Sequence, residues 1–308
     1  MFRLALAFAL LLAAVPRAGA LRVATWNLDW LTSRRAGDPA LPSDVHPRRP
    51  GDFARLAAYA ARLDADVVAI QEVDGARAAA RVFPPARYVI DMTHDHVVQR
   101  VGFAIRRGLR FTRHKDLTAL APLGSWLRSG ADITVQLRSG PLRILAVHLK
   151  AGCQFSALRG RRPACKTLAR QVPPLVAWIA ARARHATPFL ILGDFNRKFD
   201  PHHGHQDGLW RRLTAAAPLV RAERGFASPC WGAEYFIDHI LAGGAARAWL
   251  VPGSLRVLVY AEHGAAWKSR LSDHCPVSVR LRPPARSQHQ AASPFVPHTV
   301  QRPAPQRP

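Results

Sequence analysis

Chemistry in this chain is marked by polar side chains that follow directly on apolar runs. The clearest stretch is Phe189-Leu190-Ile191-Leu192-Gly193-Asp194-Phe195-Asn196. Four apolar residues read as a buried strand, Gly193 allows a close backbone approach, and Asp194 and Asn196 arrive where the strand runs out. An extended backbone turns side chains at i and i+2 to one side, so both groups can converge on one ligand. A carboxylate in such a place is costly unless it is paired, hydrogen-bonded or metal-bound. Other run ends repeat the arrangement with Asn27, Glu72, His148, Asp238, Asp273 and His274. Such a set suits proton transfer and the holding of a hard cation by oxygen. Singly, each has a structural reading: Glu72 can cap the next turn, His148 can be a satisfied core histidine, Asp238 can pair with an arginine. Their recurrence in a chain with 20 acidic against 44 basic residues argues for one shared site.

The elements that must position these groups are legible in order. Leu21 to Asn27 reads as a strand ending at Asn27, and Thr32 to Gly51 as a surface loop with four prolines. Asp52 caps a helix whose apolar residues Phe53, Leu56, Ala57, Ala60 and Leu63 recur at helical spacing. Asp66 to Glu72 is a second strand with a polar end. Arg87 to Ile90 and Val101 to Ile105 follow, then a hairpin of Ile133 to Leu137 and Leu142 to Val147 across Ser139-Gly140, leading into His148-Leu149-Lys150. Leu168 to Ile179 predicts a long helix that Pro173-Pro174 should kink or split. Asp200 to Gly208 carries His202, His203 and His205, read as a solvated loop in preference to a zinc site. Tyr235 to Leu241, Leu255 to Tyr260 and Cys275 to Leu281 are further strands. Strands with one apolar face each, with helices between them, give an α+β domain of two packed sheets over residues 21–282.

Size and composition set the outer limits. The 308 residues are 49% hydrophobic, enough for a sizeable core. Arg3 followed by the apolar run Leu4 to Val15 and by Ala18-Gly19-Ala20 reads as an export leader, residues 1–20, too short for a membrane span. Residues 283–308 contain seven prolines and no acid and read as a disordered basic tail. Export, secreted or periplasmic, places the cysteines in an oxidising compartment. Cys153 and Cys165, flanking a basic loop, are expected to pair, while Cys230 and Cys275 either form a second bridge or leave Cys275 a buried thiol. The formal net charge of +24 directs the surface toward polyanions such as nucleic acid, anionic lipid or polyphosphate.

Taken together, Thr25-Trp26-Asn27, Ile70-Gln71-Glu72, His148-Leu149-Lys150, Gly193-Asp194-Phe195-Asn196, Ile237-Asp238-His239 and Ser272-Asp273-His274-Cys275-Pro276 resemble the endonuclease/exonuclease/phosphatase superfamily. That group includes deoxyribonuclease I, abasic-site endonucleases, neutral sphingomyelinases and inositol-polyphosphate 5-phosphatases. The resemblance implies a four-layer αββα sandwich with its site at one edge of the paired sheets. It also implies hydrolysis of phosphate esters with a divalent cation, magnesium first, manganese or calcium as alternatives. It implies that Glu72 is the main metal ligand with Asn27 and Asp273 nearby, and that His274, oriented by Asp238, or Asp194 activates the attacking water. Asn196 would then hydrogen-bond the phosphate, and His148 would protonate the leaving oxygen or steady the phosphate. Arg100 and Lys150 are the candidate phosphate-binding cations. Abasic-site enzymes carry a tyrosine where this chain has His148. The implied substrate is DNA, with RNA beside it, cleaved with low sequence specificity by a monomer not inserted in a membrane. A sphingomyelinase-like phosphodiesterase, an inositol-phosphate phosphatase and a non-catalytic polyanion binder are the alternatives.

Overall fold

The computed structural model describes residues 20–122, 125–200 and 207–285. Apart from Ala20 and residues 283–285, the expected leader and tail lie outside the described residues, as do His202, His203 and His205. The chain runs β1 (Leu21–Leu31), α1 (Pro50–Leu63), β2 (Val67–Val73), α2 (Gly75–Val82), β3 (Tyr88–Met92), β4 (Arg100–Arg106), β5 (Arg110–Arg113), β6 (Ala131–Leu137) and β7 (Gly140–His148). It continues through α3 (Pro163–Arg184), β8 (Phe189–Asp194), α4 (Gly208–Ala216), β9 (Leu219–Arg221), β10 (Asp238–Gly243), β11 (Arg256–Val257), α5 (Ala265–Arg270) and β12 (Val277–Leu281).

Two six-stranded sheets form, ordered β11-β12-β1-β2-β4-β3 and β5-β6-β7-β8-β10-β9. Only β1–β2 and β7–β8 pair in parallel; the other ladders are antiparallel. Alternation along the strands explains the layers. Val67, Ala69 and Phe103 of the first sheet pack against Ile144, Leu190, Leu192 and Ile240 of the second. Their neighbours Val68, Ile70 and Ala104 face Phe53, Leu56 and Leu63 of α1 and Val82 of α2. On the other side, Leu145, Val147, Ile191 and Leu241 face Leu168, Val172, Leu175 and Ile179 of α3 and Leu209 and Leu213 of α4. The central strands are thus buried on both faces, which is why they read as continuous apolar runs. The result is the four-layer αββα sandwich.

Several boundaries differ from expectation for identifiable reasons. Asp52 is not the helix cap; it sits inside the first turn of α1 and its carboxylate accepts from the Arg49 N–H at 3.1 Å. The helix α3 is continuous through Pro173 and Pro174. Both prolines lie off its buried face, so the carbonyls they leave without a donor can turn to water. Asp238 opens a strand instead of closing one, and Tyr235 to Ile237 lie outside it. The stretch Leu255 to Tyr260 shrinks to the two-residue β11. Both disulfides are present, Cys153–Cys165 and Cys230–Cys275, so Cys275 is not a free thiol.

Gly193 is where β7 and β8 come closest. A Cβ built there would lie 1.9 Å from the Val147 carbonyl oxygen, and Val147 is the residue paired with Gly193 in the ladder. That ladder sets His148 opposite Asp194. Gly193→Ala is therefore expected to destabilise the fold by about 3 kcal/mol through overpacking, measured as a lowered urea midpoint. An unchanged midpoint would show that the close approach is dispensable.

Candidate active site

The carboxyl end of β1 runs beside that of β2, and in the second sheet β7 ends beside β8. These ends meet at one edge of the sandwich, joined by the start of β10 and the loop before β12. Register is lost just where function begins: β1 and β2 pair regularly to Asn27↔Gln71 and resume only at Leu31↔Val73. Within the gap Asp29, Trp30 and Glu72 have φ of +44°, +54° and +59°. Such left-handed backbone in non-glycine residues costs on the order of 1–3 kcal/mol each and persists only where surroundings enforce it. Here it carries the Glu72 carboxylate out of the ladder. The Glu72 Oε1 accepts from Asn27 Nδ2 at 3.0 Å, and its Oε2 from the Trp30 N–H at 3.2 Å and from Gln99 Nε2.

Asp194, 1% exposed, lies across from Glu72. Its Oδ2 accepts from Asn27 Nδ2 at 3.1 Å and from Asn196 Nδ2 at 3.0 Å, and its Oδ1 from the Asn196 N–H at 2.7 Å. Asn196 reaches it through a turn with φ +50°, not by strand alternation. The second amide hydrogen of Asn196 goes to the Leu149 carbonyl at 3.1 Å. Asn27 turns its nitrogen, not its oxygen, to both carboxylates, because the Asp29 N–H claims its Oδ1 at 2.9 Å. In this structure both amides orient acids.

Two histidines flank Asp194, their pKa values shifted in opposite directions. His274 Nδ1 donates to Asp238 Oδ2 at 2.7 Å, and its Nε2 stands 3.8 Å from both Asp194 Oδ2 and Asp273 Oδ1. Burial alone would lower its pKa, but Asp238, Asp194 and Asp273 outweigh that and raise it well above the ordinary range. His148 Nε2 lies 3.5 Å from Glu72 Oε1 and from Asp194 Oδ2. Arg128 lies against both ring nitrogens, its Nε 3.0 Å from Nδ1 and its Nη2 3.0 Å from Nε2. Burial first, then the charges of Arg128, His274 and Lys150, press its pKa well below the usual value. The loop of His274 is tied down from β1: Ser272 Oγ donates to the Asn27 carbonyl at 2.8 Å and accepts the His274 N–H at 3.0 Å. Trp26 Nε1 donates to Tyr260 Oη at 3.0 Å, whose hydroxyl donates to the His274 carbonyl at 3.0 Å.

The structure thus brings together Asn27, Glu72, His148, Asp194, Asn196, Asp238 and His274. Asp273 stands at the rim, its side chain 56% exposed. Arg100 directs its guanidinium to Asp74 at 3.6 Å and over Gly75, and the arginine placed against the site is instead Arg128. Lys150 is held at its backbone N–H by Gln171, and its charge reaches the cluster through the field it places on His148. Arg128, Gln99 and Asp29 have no counterpart in the sequence reading. In a chain this rich in arginine nothing local singles out Arg128, whereas the Asn27-x-Asp29 spacing is the kind of signal that exposes Asp29.

The donor set fits a divalent cation. Ligand atoms of Glu72, His148 and Asp194 lie within 4.8 Å of one another, as do those of Asp194, Asp238 and His274. Among the described residues, the buried Asp238 Oδ1 has no hydrogen-bond partner. Burial raises the Asp194 pKa to about 7, opposed by His274 and reinforced by Asp238. Burial and Asp273 raise Asp29 to about 7 as well. Crowded carboxylates that hold protons to neutral pH are groups a hard cation would relieve.

The Endonuclease/Exonuclease/phosphatase family profile matches residues 24–274, and the chain belongs to that family. It is a metal-dependent phosphoric ester hydrolase. Solved structures share the fold at low identity. An AP endonuclease from Archaeoglobus fulgidus matches with TM-score 0.59 and 13% identity, over 85% of this chain and 99% of that one. A humanized D. rerio TDP2 matches at 0.58 and 15%, over 85% and 99%. A 3'-5' exonuclease from Neisseria meningitidis matches at 0.57 and 18%, over 85% and 100%. No curated protein matches the chain. Among the described residues, no helix is long and apolar enough to cross a membrane.

Asp194 keeps its proton to about pH 7, and a cation must displace it, so binding should strengthen as pH rises through that value. Added magnesium is expected to raise the melting temperature more at pH 8 than at pH 5.5. Calorimetry near pH 7 in buffers of different ionisation heat should register proton release. A magnesium shift equal at both pH values would contradict the shared carboxylate site.

Proposed function

We propose that the protein is an exported, magnesium-dependent phosphodiesterase that hydrolyses nucleic acid, DNA foremost, with little sequence preference. The observation that carries the reading is the convergence of Asn27, Asn196, His148 and His274 on one oxygen, Asp194 Oδ2, at 3.0–3.8 Å and beside Glu72. A cation held by Glu72, with Asp194 or Asp273, would neutralise the phosphate and stabilise charge in the transition state. Asp194, once the cation has displaced its proton, takes the proton of the attacking water. Asn27 and Asn196 fix its orientation. His274, held as imidazolium by Asp238, donates to a non-bridging phosphate oxygen. His148, its pKa pressed down by burial and by Arg128, steadies the phosphate and is not a ready acid. Arg128, against both nitrogens of that ring, adds positive charge.

Charge supports nucleic acid as substrate. Five of the chain's 20 acids, Asp29, Glu72, Asp194, Asp238 and Asp273, gather at the site, which leaves the remaining surface more basic than the net charge of +24 suggests. Arginine contacts to phosphates give affinity that falls with salt and reads little sequence. Export rests on the leader-like start and on the two disulfides, which suit a secreted or periplasmic protein. One observation favours a second reading, a lipid phosphodiesterase: Trp126, two residues from Arg128, is 85% exposed.

Turnover of DNA, RNA, sphingomyelin vesicles and inositol phosphates, each with magnesium and with chelator, separates these readings. Metal-dependent cleavage of nucleic acid that weakens steeply with salt is expected. Release of phosphocholine alone would transfer the assignment to lipid. Asp194→Asn and His274→Ala are each expected to lower kcat on the order of 10²–10⁴-fold while nucleic-acid binding survives.

A further inference from the structure

A cleft of about 320 Å³ opens beside the site, lined by Asp238, Asp273 and His274 and by Gln154, Lys198 and Tyr235. Both disulfides staple its rim. Cys153–Cys165 closes the loop that carries Gln154 and Phe155, and Cys230–Cys275 fastens the loop leading to Tyr235 to the residue after His274. Arg197, 2% exposed, tightens the first loop further: its Nη1 donates to the carbonyls of Cys153 and Ser156 at 2.6 Å each, and it pairs with Asp207. Gln154 and Phe155 sit between those two clamped carbonyls, and Gln154 itself accepts the Lys198 N–H at 2.8 Å. Phe155 is nevertheless 64% exposed. Lys198 Nζ stands 5.6 Å from the centre of the Phe155 ring and 4.6 Å from that of Tyr235.

A rigid backbone that holds a phenyl ring out in water is unfavourable by itself and favourable only when something flat covers the ring. Because the loop is already ordered, a ligand stacking there loses little to loop ordering on binding. The ammonium between two rings supplies the charge for a phosphate at the same place. We propose that this cleft and the exposed Phe155 ring, next to its lining residue Gln154 and in contact with its Lys198, form a subsite for an unpaired nucleotide next to the scissile phosphate, the base stacked on Phe155 and the phosphate held by Lys198. A base within a duplex has both faces covered by its neighbours, so the subsite selects single-stranded or frayed nucleic acid. The assignment rests on the nuclease reading and narrows it.

The test uses the oxidised full chain in chelator and the anisotropy of labelled strands: a deoxyadenosine oligomer, an abasic strand of equal length and a paired hairpin. Phe155→Ala should weaken the intact oligomer on the order of 10-fold and leave the abasic strand and hairpin within about 2-fold. Phe155→Trp should restore binding. Lys198→Ala should weaken intact and abasic strands alike and flatten the log–log salt slope by about 0.7. Phe155 is exposed, so an unchanged melting temperature will show that the variant folds. Equal affinity of Phe155→Ala and wild type for the intact oligomer, or an equal loss on the abasic strand, overturns the subsite. If wild type cleaves nucleic acid with magnesium under that result, the nuclease reading stands without it. If wild type cleaves only another phosphate ester, the nuclease reading fails and the subsite with it.

Discussion

One side-chain amide joins the two halves of this molecule's chemistry. Asn27 Nδ2 donates to Glu72 of the first sheet and to Asp194 of the second, at 3.0 and 3.1 Å. Without that bridge, two carboxylates from different sheets would face each other in a dry gap and repel. The amide needs its own anchor, and the Asp29 N–H provides it by fixing which end of the group is nitrogen. The left-handed backbone at Asp29, Trp30 and Glu72 follows from the same requirement, since a regular ladder would leave these groups pointing into the layers.

Acids buried together need compensation, and here it arrives from several elements. Arg128 covers His148, and His274 stands as a cation between Asp194 and Asp238. Arg48, its side chain 2% exposed, faces Asp29 at 3.5 Å. It also donates to the carbonyls of Leu28 at 3.0 Å and Leu271 at 2.9 Å, so it clasps the loops after β1 and before β12. The remaining imbalance appears as raised carboxyl pKa values. An apolar substitution would relieve that imbalance, but it would also remove what a hard cation requires.

Much of this was readable from residue order because the core strands are buried on both faces and their polar terminations stand out. Asp194, Glu72 and His148 announced themselves as interruptions of apolar runs. Asp238 was found too, although it begins its strand, because the apolar residues before it in Tyr235-Phe236-Ile237 imitate a strand that in fact forms the cleft rim. Two packed sheets with helices outside follow from the apolar faces and the four layers from the family resemblance, whereas Arg128 and Gln99 follow from neither. Their importance lies in which side chains they meet across the fold, Arg128 on His148 and Gln99 on Glu72, and neither partner is near in sequence. Arg100 was the inverse error: a cation close to the site along the chain whose guanidinium is taken up by Asp74. The continuity of α3 was hidden for a related reason, since the penalty of two prolines depends on which face of the helix they occupy.

The strand that opens the domain has no complete set of neighbours until its last strand is made, for β1 lies between β2 and β12, with Leu21 opposite Leu281. The first sheet can therefore finish only once that strand has been made. His274 lies just ahead of it, so a chain still being synthesised holds Glu72 and Asp194 without their imidazolium partner. Completion of the cluster is in this way timed by topology.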